Sequence, residues 1–169
     1  MTGYTTEGWA DLFVAAAGAG AVLTGLIFVA VSVNIGAVLE ADRQSGENFL
    51  TGRALEALVG LLNVLVISIV GLTPTISPGV FAACILIVAA ESAISPVRAV
   101  RASASRGAFD RATWLRVVAA FALTASLVAA GVTLAAGHGG GLFWLPVAFV
   151  LAIFVAAVNA WVLLVEVLR

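Results

Sequence analysis

Glu91 is a carboxylate that follows a long uncharged stretch of this chain. Residues 79–90 carry no charge, and Pro96 comes five positions after Glu91. Arg98 lies seven residues beyond Glu91, so in a helix the carboxylate would be about 10 Å inside the first arginine. Acidic groups at such depth in a membrane segment are costly and commonly mark ion, proton or ligand sites. That is the chemistry these residues suggest.

Four further polar side chains interrupt the apolar segments near their charged ends: Asn34, Glu56, Asn63 and Asn159. Glu56 and Asn63 are seven residues apart and would share one face of a helix. Together with Glu91 the set predicts a polar layer in one half of the membrane. In the functional interpretation this layer lines an ion, proton or ligand site.

Structural interpretations of the same residues stay open. Glu91 could pair with an arginine of a neighbouring helix, Arg53 or Arg116, or stay protonated because burial disfavours its charge. For Asn63 and Asn159 the simpler expectation is a hydrogen bond between helices, worth about 0.6 kcal/mol in a membrane.

The segment E-S-A-I-S-P, residues 91–96, predicts a bend. Proline has no N–H, so within a continuing helix Pro96 leaves the carbonyl of Ser92 without its usual donor. Ser92 and Ser95 can help to satisfy such a break. We therefore expect a bent, polar end to this helix.

Composition places these residues in a membrane protein. The 169-residue chain is 63% apolar and 10% charged, with a mean hydropathy of +1.18. A soluble domain is about half apolar and about a quarter charged. We expect an all-α integral membrane bundle and one transmembrane domain over residues 1–169. Five stretches reach the roughly 20 apolar residues that a span requires: about 12–39, 54–72, 78–97, 113–136 and 142–167.

The basic residues predict the orientation. All eight are arginine, which suggests a bacterial source, and they fall on one side of a five-span topology: Arg43, Arg53, Arg98, Arg101, Arg106, Arg111, Arg116 and Arg169. The positive-inside rule then places the N-terminus outside and the C-terminus in the cytoplasm, with the protein in the bacterial inner membrane. The arginines from Arg98 to Arg116 are candidates for contact with lipid head groups, at about 1 kcal/mol each, or with a partner.

Several kinds of chemistry have no residues to support them. Cys84 is the only cysteine and His138 the only histidine, so no metal site is expected. The sequence contains no nucleophile–base pair, phosphate-binding loop or dinucleotide fingerprint. We therefore expect no enzyme activity, no cofactor and no nucleic-acid partner.

Small residues recur at four-residue intervals in three of the predicted spans, a pattern that allows helices to approach closely. The ladders are Ala17, Ala21 and Gly25; Ala122, Ser126 and Ala130; Ala125, Ala129 and Thr133; and Ala148, Ala152, Ala156 and Ala160. They predict a tight bundle and a homo-oligomer formed through the first or fifth span.

The first span, W-A-D-L-F-V-A-A-A-G-A-G-A-V-L-T-G-L-I-F-V-A-V-S-V-N, resembles a group of small bacterial integral membrane proteins called modulators of FtsH protease. The resemblance implies a multi-span inner-membrane protein without catalytic residues.

The sequence is consistent with two functions. One is a non-enzymatic oligomeric interaction or regulatory module that binds another membrane protein. The alternative is a homo-oligomeric ion or proton channel or carrier with a polar cytoplasmic vestibule around Glu91.

Overall fold

The chain forms a helical bundle, seen in a computed structural model that describes residues 3–45, 49–106 and 111–167. Its helices are α1 (Ala10–Val33), α2 (Ile35–Ser45), α3 (Phe49–Gly71), α4 (Pro78–Ser92), α5 (Ile94–Arg106), α6 (Arg111–Ala136) and α7 (Leu145–Val167), with a 3-10 turn at Gly141–Trp144. Five helical stretches are long and apolar enough to cross a membrane: Ala10–Val33, Leu50–Gly71, Pro78–Arg98, Val117–Ala136 and Gly141–Trp161. The expected all-α chain with five spans is confirmed, and the fold is that of a multi-pass membrane protein.

The first span ends earlier than the sequence suggested, at Val33 rather than near residue 39. Asn34 interrupts the helix with φ −104° and ψ 13°, and its side-chain amide donates to the carbonyl of Ala30 at 2.9 Å. Asparagine competes in this way with the helical hydrogen bonds. The residues beyond it form α2, an amphipathic helix that buries Val38 and exposes Glu40.

The break expected near Pro96 is present. α4 ends at Ser92 and α5 begins at Ile94, so the interruption lies at Ala93, within one turn of the proline. The ring of Pro96 is fully buried. The sequence placed this interruption in the right turn of the third span, and a bend there stays a prediction.

α3 is the centre of the bundle. It packs against α1 on one side and against α7 on the other, while α6 joins α7 to α4. α3 and α4 contact each other far less than these pairs do, although they follow one another in the chain. Two glycines allow neighbouring helices to approach closely: a Cβ on Gly20 would lie 3.3 Å from the carbonyl of Leu61, and one on Gly131 only 2.6 Å from Cγ of Leu86.

The short connections make consecutive spans antiparallel and give the bundle two chemically different ends. We call the end formed by residues 34–45, 49–53 and 93–106 the arginine end. The other, the glycine end, is formed by residues 3–9, 72–77 and 137–144. There the N-terminal segment covers the glycine-rich turn, because the N–H of Leu142 donates to the carbonyl of Gly3 at 2.7 Å.

The small-residue ladder of the fifth span packs against other helices of the same protomer. Ala148, Ala152 and Ala156 are all buried, on the helix that packs against α3 and α6. This face is therefore not available to a second copy. In the first span, Ala21 and Gly25 remain exposed.

Candidate functional site

Asn63 of α3 and Glu91 of α4 are joined across the loosely packed contact between their helices. The amide nitrogen of Asn63 donates to Oε2 of Glu91 at 2.5 Å and to Oγ of Ser92 at 3.3 Å. The nitrogen end of the Asn63 amide therefore faces α4, where both acceptors are oxygen atoms. One asparagine thus bonds to the last two residues of α4.

The bond places the pair well inside the membrane-spanning length. Asn63 is thirteen residues from Leu50 and eight from Gly71, the limits of its span. At 1.5 Å per residue these separations are about 20 Å and about 12 Å. Glu91 is therefore nearer the middle of the bundle than its distance from Arg98 along the chain indicates.

Glu91 points outward rather than into the protein. Its side chain is exposed, whereas Asn63 and Ser92 are half-buried. Its hydrogen-bond partner is Asn63, and the alternative pairing with Arg53 stays a prediction. The side chain of Arg116, the other predicted partner, lies outside the described residues.

Apolar side chains surround the pair on the surface. On α3, Leu62 and Val66 are each 43% exposed; on α4, Ile87 is 71% exposed, and Ile94 at the start of α5 is 47% exposed. We call this surface the α3/α4 seam; it consists of Leu62, Asn63, Val66, Ile87, Glu91 and Ile94. It presents one carboxylate, held by one amide, within an apolar face formed by α3, α4 and the start of α5.

The other predicted polar residues do not join this pair through hydrogen bonds in the described part of the chain. Asn34 bonds within its own turn, to Ala30. Asn159 is fully buried on α7, and neither atom of its amide has a partner among the described residues. Glu56 is half-buried on α3, about 10 Å from Asn63 along the helix. A single vestibule that gathers all five residues stays a prediction.

Asp42 is a polar site that the sequence did not reveal. Its carboxylate is 6% exposed and accepts the backbone N–H groups of Leu50 at 2.8 Å and of Thr51 at 3.1 Å. The hydroxyl of Thr51 donates to it as well, at 2.6 Å. The carboxylate thus caps the start of α3, where unpaired N–H groups and the helix dipole favour negative charge. The capping carboxylate lies eight residues before Leu50 in the chain, so no local sequence motif predicts this cap.

The arginines predicted to contact head groups or a partner lie on α5 and at the start of α6. Arg98 and Arg101 are exposed. The side chains of Arg106, Arg111 and Arg116 lie outside the described residues. Exposed guanidinium groups at one end of the bundle can bind phosphate oxygens through charge-assisted hydrogen bonds.

The interior beside the seam is closely packed. Behind Asn63 and Ser92 lies a cavity of about 10 Å³ whose remaining lining is apolar, a volume of about one water molecule. Toward the glycine end, Phe13, Phe81 and Leu142 are fully buried. No group of three or more His, Cys, Asp or Glu that could hold a metal ion occurs within residues 3–45, 49–106 and 111–167.

Comparisons of the chain with protein-family models, with curated proteins and with solved structures find no match.

Proposed function

We propose that this protein is a non-enzymatic interaction module of the membrane, which binds a transmembrane helix of another protein along the α3/α4 seam. The observation that carries the proposal is the outward exposure of Glu91 at membrane depth. A charged side chain near the bilayer centre costs about 3 kcal/mol on insertion scales. A partner helix that supplies a cation or a hydrogen-bond donor removes that penalty and recognises the carboxylate specifically.

The charge of Glu91 favours a different protein over a second copy at this surface. A two-fold symmetric contact centred on Glu91 would bring two Glu91 carboxylates together. Two like charges repel strongly in a medium of low dielectric constant. A partner helix with Lys, Arg, His, Asn or Ser at the same depth fits the seam without this repulsion.

Self-association, if it accompanies this role, uses another surface. The first span exposes Ala21 and Gly25, which permit close approach of a helix. We propose that a homo-oligomer forms through this face of α1, leaving the seam of each protomer open to its partner.

We also propose that the arginine end faces the cytoplasm of a bacterial cell, with the N-terminus outside. The arginines on α2, α3 and α5 support this orientation through the positive-inside rule. In this orientation, Arg98 and Arg101 of α5 would contact anionic head groups or the cytoplasmic end of the partner. The resemblance of the first span to modulators of FtsH protease fits a regulatory partner of this kind.

A channel through one protomer is less consistent with the packing. The cavity beside Asn63 holds about one water molecule, and large apolar side chains fill the core beyond it. Ion flux into liposomes that contain the purified protein distinguishes the two functions. We expect no flux of protons, monovalent cations or anions. A flux that Glu91→Gln abolishes, and that the control Glu40→Gln leaves intact, would replace the proposal with a channel between subunits.

A further inference from the structure

Five exposed residues form one stripe along α4 and α5. They are Ile87, Glu91, Ile94, Arg98 and Arg101. Successive members are four, three, four and three residues apart. This alternation averages 3.5 residues and is the spacing at which two helices pack along each other with a left-handed twist. Because every member of the stripe is exposed, the protomer leaves this packing surface uncovered.

The interruption at Ala93 leaves the stripe on one face. Ala93 keeps helical dihedral angles, with φ −70° and ψ −20°. Its N–H donates to the carbonyl of Ala89 at 3.1 Å, and its carbonyl accepts the N–H of Val97 at 3.3 Å. The helical hydrogen-bond pattern thus continues across the interruption, and one stretch long and apolar enough to cross a membrane reaches from Pro78 to Arg98.

α3 carries a second stripe with the same alternation, next to Asn63. Its members are Leu55, Val59, Leu62, Val66 and Ile69. All five are apolar; one, Val59, is half-buried and the others are exposed. The hydrogen bond between Asn63 and Glu91 joins the two helices, so both stripes border the α3/α4 seam. A helix that lies along the seam would contact an apolar stripe on one side and a charged stripe on the other.

The charges of the α4/α5 stripe follow a fixed order. Arg98 lies seven residues after Glu91, about 10 Å nearer the arginine end along the helix. Arg101 lies about one turn further. Neither arginine has an ion-pair partner among the described residues, and the donor that Asn63 offers to Glu91 is a neutral amide. The stripe thus presents one negative charge inside the membrane-spanning length and two positive charges at its edge.

This order of charges disfavours a second copy and a lipid as the occupant of the stripe. A copy in the same orientation has the same charges at the same depth. A two-fold contact through the stripe would therefore place Glu91 against Glu91 and Arg98 against Arg98. A phospholipid carries its charges at the membrane surface, so it reaches Arg98 but not Glu91. A helix with the opposite order of charges can meet both.

We propose that the partner helix carries Lys or Arg opposite Glu91 and Asp or Glu opposite Arg98; this inference rests on the proposed function and specifies its partner. Left-handed packing repeats every seven residues in both helices. The two charged residues of the partner are therefore seven positions apart, with the acidic one nearer the arginine end. The partner's cation binds the oxygen of Glu91 that Asn63 leaves free, and the partner's carboxylate accepts charge-assisted hydrogen bonds from Arg98.

Crosslinking in liposomes tests this proposal with three synthetic transmembrane peptides of Leu and Ala. The first has Lys in its span and Glu seven residues nearer one end, the second has these two residues exchanged, and the third has Leu at both positions. Each peptide is made in both sequence directions. The purified protein carries a photoreactive residue in place of Ile87. We expect the first peptide to give at least fivefold more crosslinked product than either of the others.

Two variants assign this preference to the stripe. Glu91→Leu should remove the advantage of Lys in the peptide, and Arg98→Glu should remove the advantage of Glu. Arg43→Glu makes the same change of charge on α2, where the side chain is 77% exposed, and should leave the yields as they are in the wild type. An unchanged melting temperature of each variant verifies that the fold is intact.

Equal yields from the three peptides would overturn the proposal, as would a crosslink to a second copy that the first peptide does not displace. A yield of the first peptide that Arg98→Glu does not lower would overturn it as well. That last result would leave the proposed function intact, because the proposed function requires only a partner that meets Glu91. The proposed function fails separately, if the residue at position 87 crosslinks to no other membrane protein in cells.

Discussion

The carboxylate of Asp42 on α2 receives both the backbone N–H and the hydroxyl of Thr51 on α3, at 3.1 and 2.6 Å. This contact fixes α2 against the start of the central helix, across residues 46–48, which lie outside the described part of the chain. The same helix, α3, carries Asn63 of the seam.

We expect Asp42→Ala to lower the stability of the bundle by about 1–2 kcal/mol, because the start of α3 loses its cap. Thermal unfolding in detergent measures the effect. Glu40→Ala is the control, since Glu40 lies on the same helix and is 59% exposed in its pair with Arg43. It should change stability by less than about 0.5 kcal/mol. Equal losses in the two variants would contradict the assigned role of Asp42.

Gly20→Leu should separate α1 from α3, because its side chain would meet the backbone of Leu61. Overpacking of this kind typically costs about 1–3 kcal/mol. Gly18→Leu is a matched control on the same helix, where a Cβ meets open space. We expect a large loss of melting temperature for Gly20→Leu alone. If Gly18→Leu is equally damaging, α1 packs through a different face.

Asn159→Leu should stabilise the protomer by about 1 kcal/mol, because it removes a buried amide that has no partner among the described residues. Asn63→Leu is the comparison: it removes a bonded amide and should destabilise. Thermal unfolding of both variants in the same detergent compares their stabilities with that of the wild type. A loss of stability in Asn159→Leu would mean that the amide has a partner outside the described residues or in another subunit.

Gly25→Leu should reduce homo-oligomerisation without unfolding the protomer, since nothing within 4 Å would meet its Cβ. The mass of the assembly in lipid nanodiscs measures this. Ala156→Leu, on the buried ladder of α7, should instead destabilise the protomer itself. An assembly whose mass is unchanged by Gly25→Leu would exclude this face of α1 as the contact.

The sequence predicted the features that depend on hydropathy and on local chemistry. The five spans, the collection of arginines in one set of connections and the break before Pro96 are of this kind. It did not predict which helices pack together, because the spans are apolar on every face. The pairing of Asn63 with Glu91 therefore had to come from the structure, although both residues were candidates.

Two further features were beyond prediction for a related reason. The Asp42 cap and the contact of Gly3 with Leu142 join residues that no periodicity connects. The burial of Ala148, Ala152 and Ala156 inside the protomer could not be predicted from the sequence either. A small-residue pattern predicts close packing, but it does not identify the helix that packs there.

The central claim is that Glu91 and the α3/α4 seam bind a helix of another membrane protein. Photo-crosslinking in membranes of expressing cells tests it most directly, with a photoreactive residue in place of Ile87, which is 71% exposed on the same face of α4. We predict a crosslinked product with a different membrane protein, which falls to background when Glu91→Leu is added. The same probe in place of Val22, 63% exposed on α1, should give products that Glu91→Leu does not change. A product from the Ile87 position that contains only this chain or lipid, or that persists in Glu91→Leu, would contradict the proposed function.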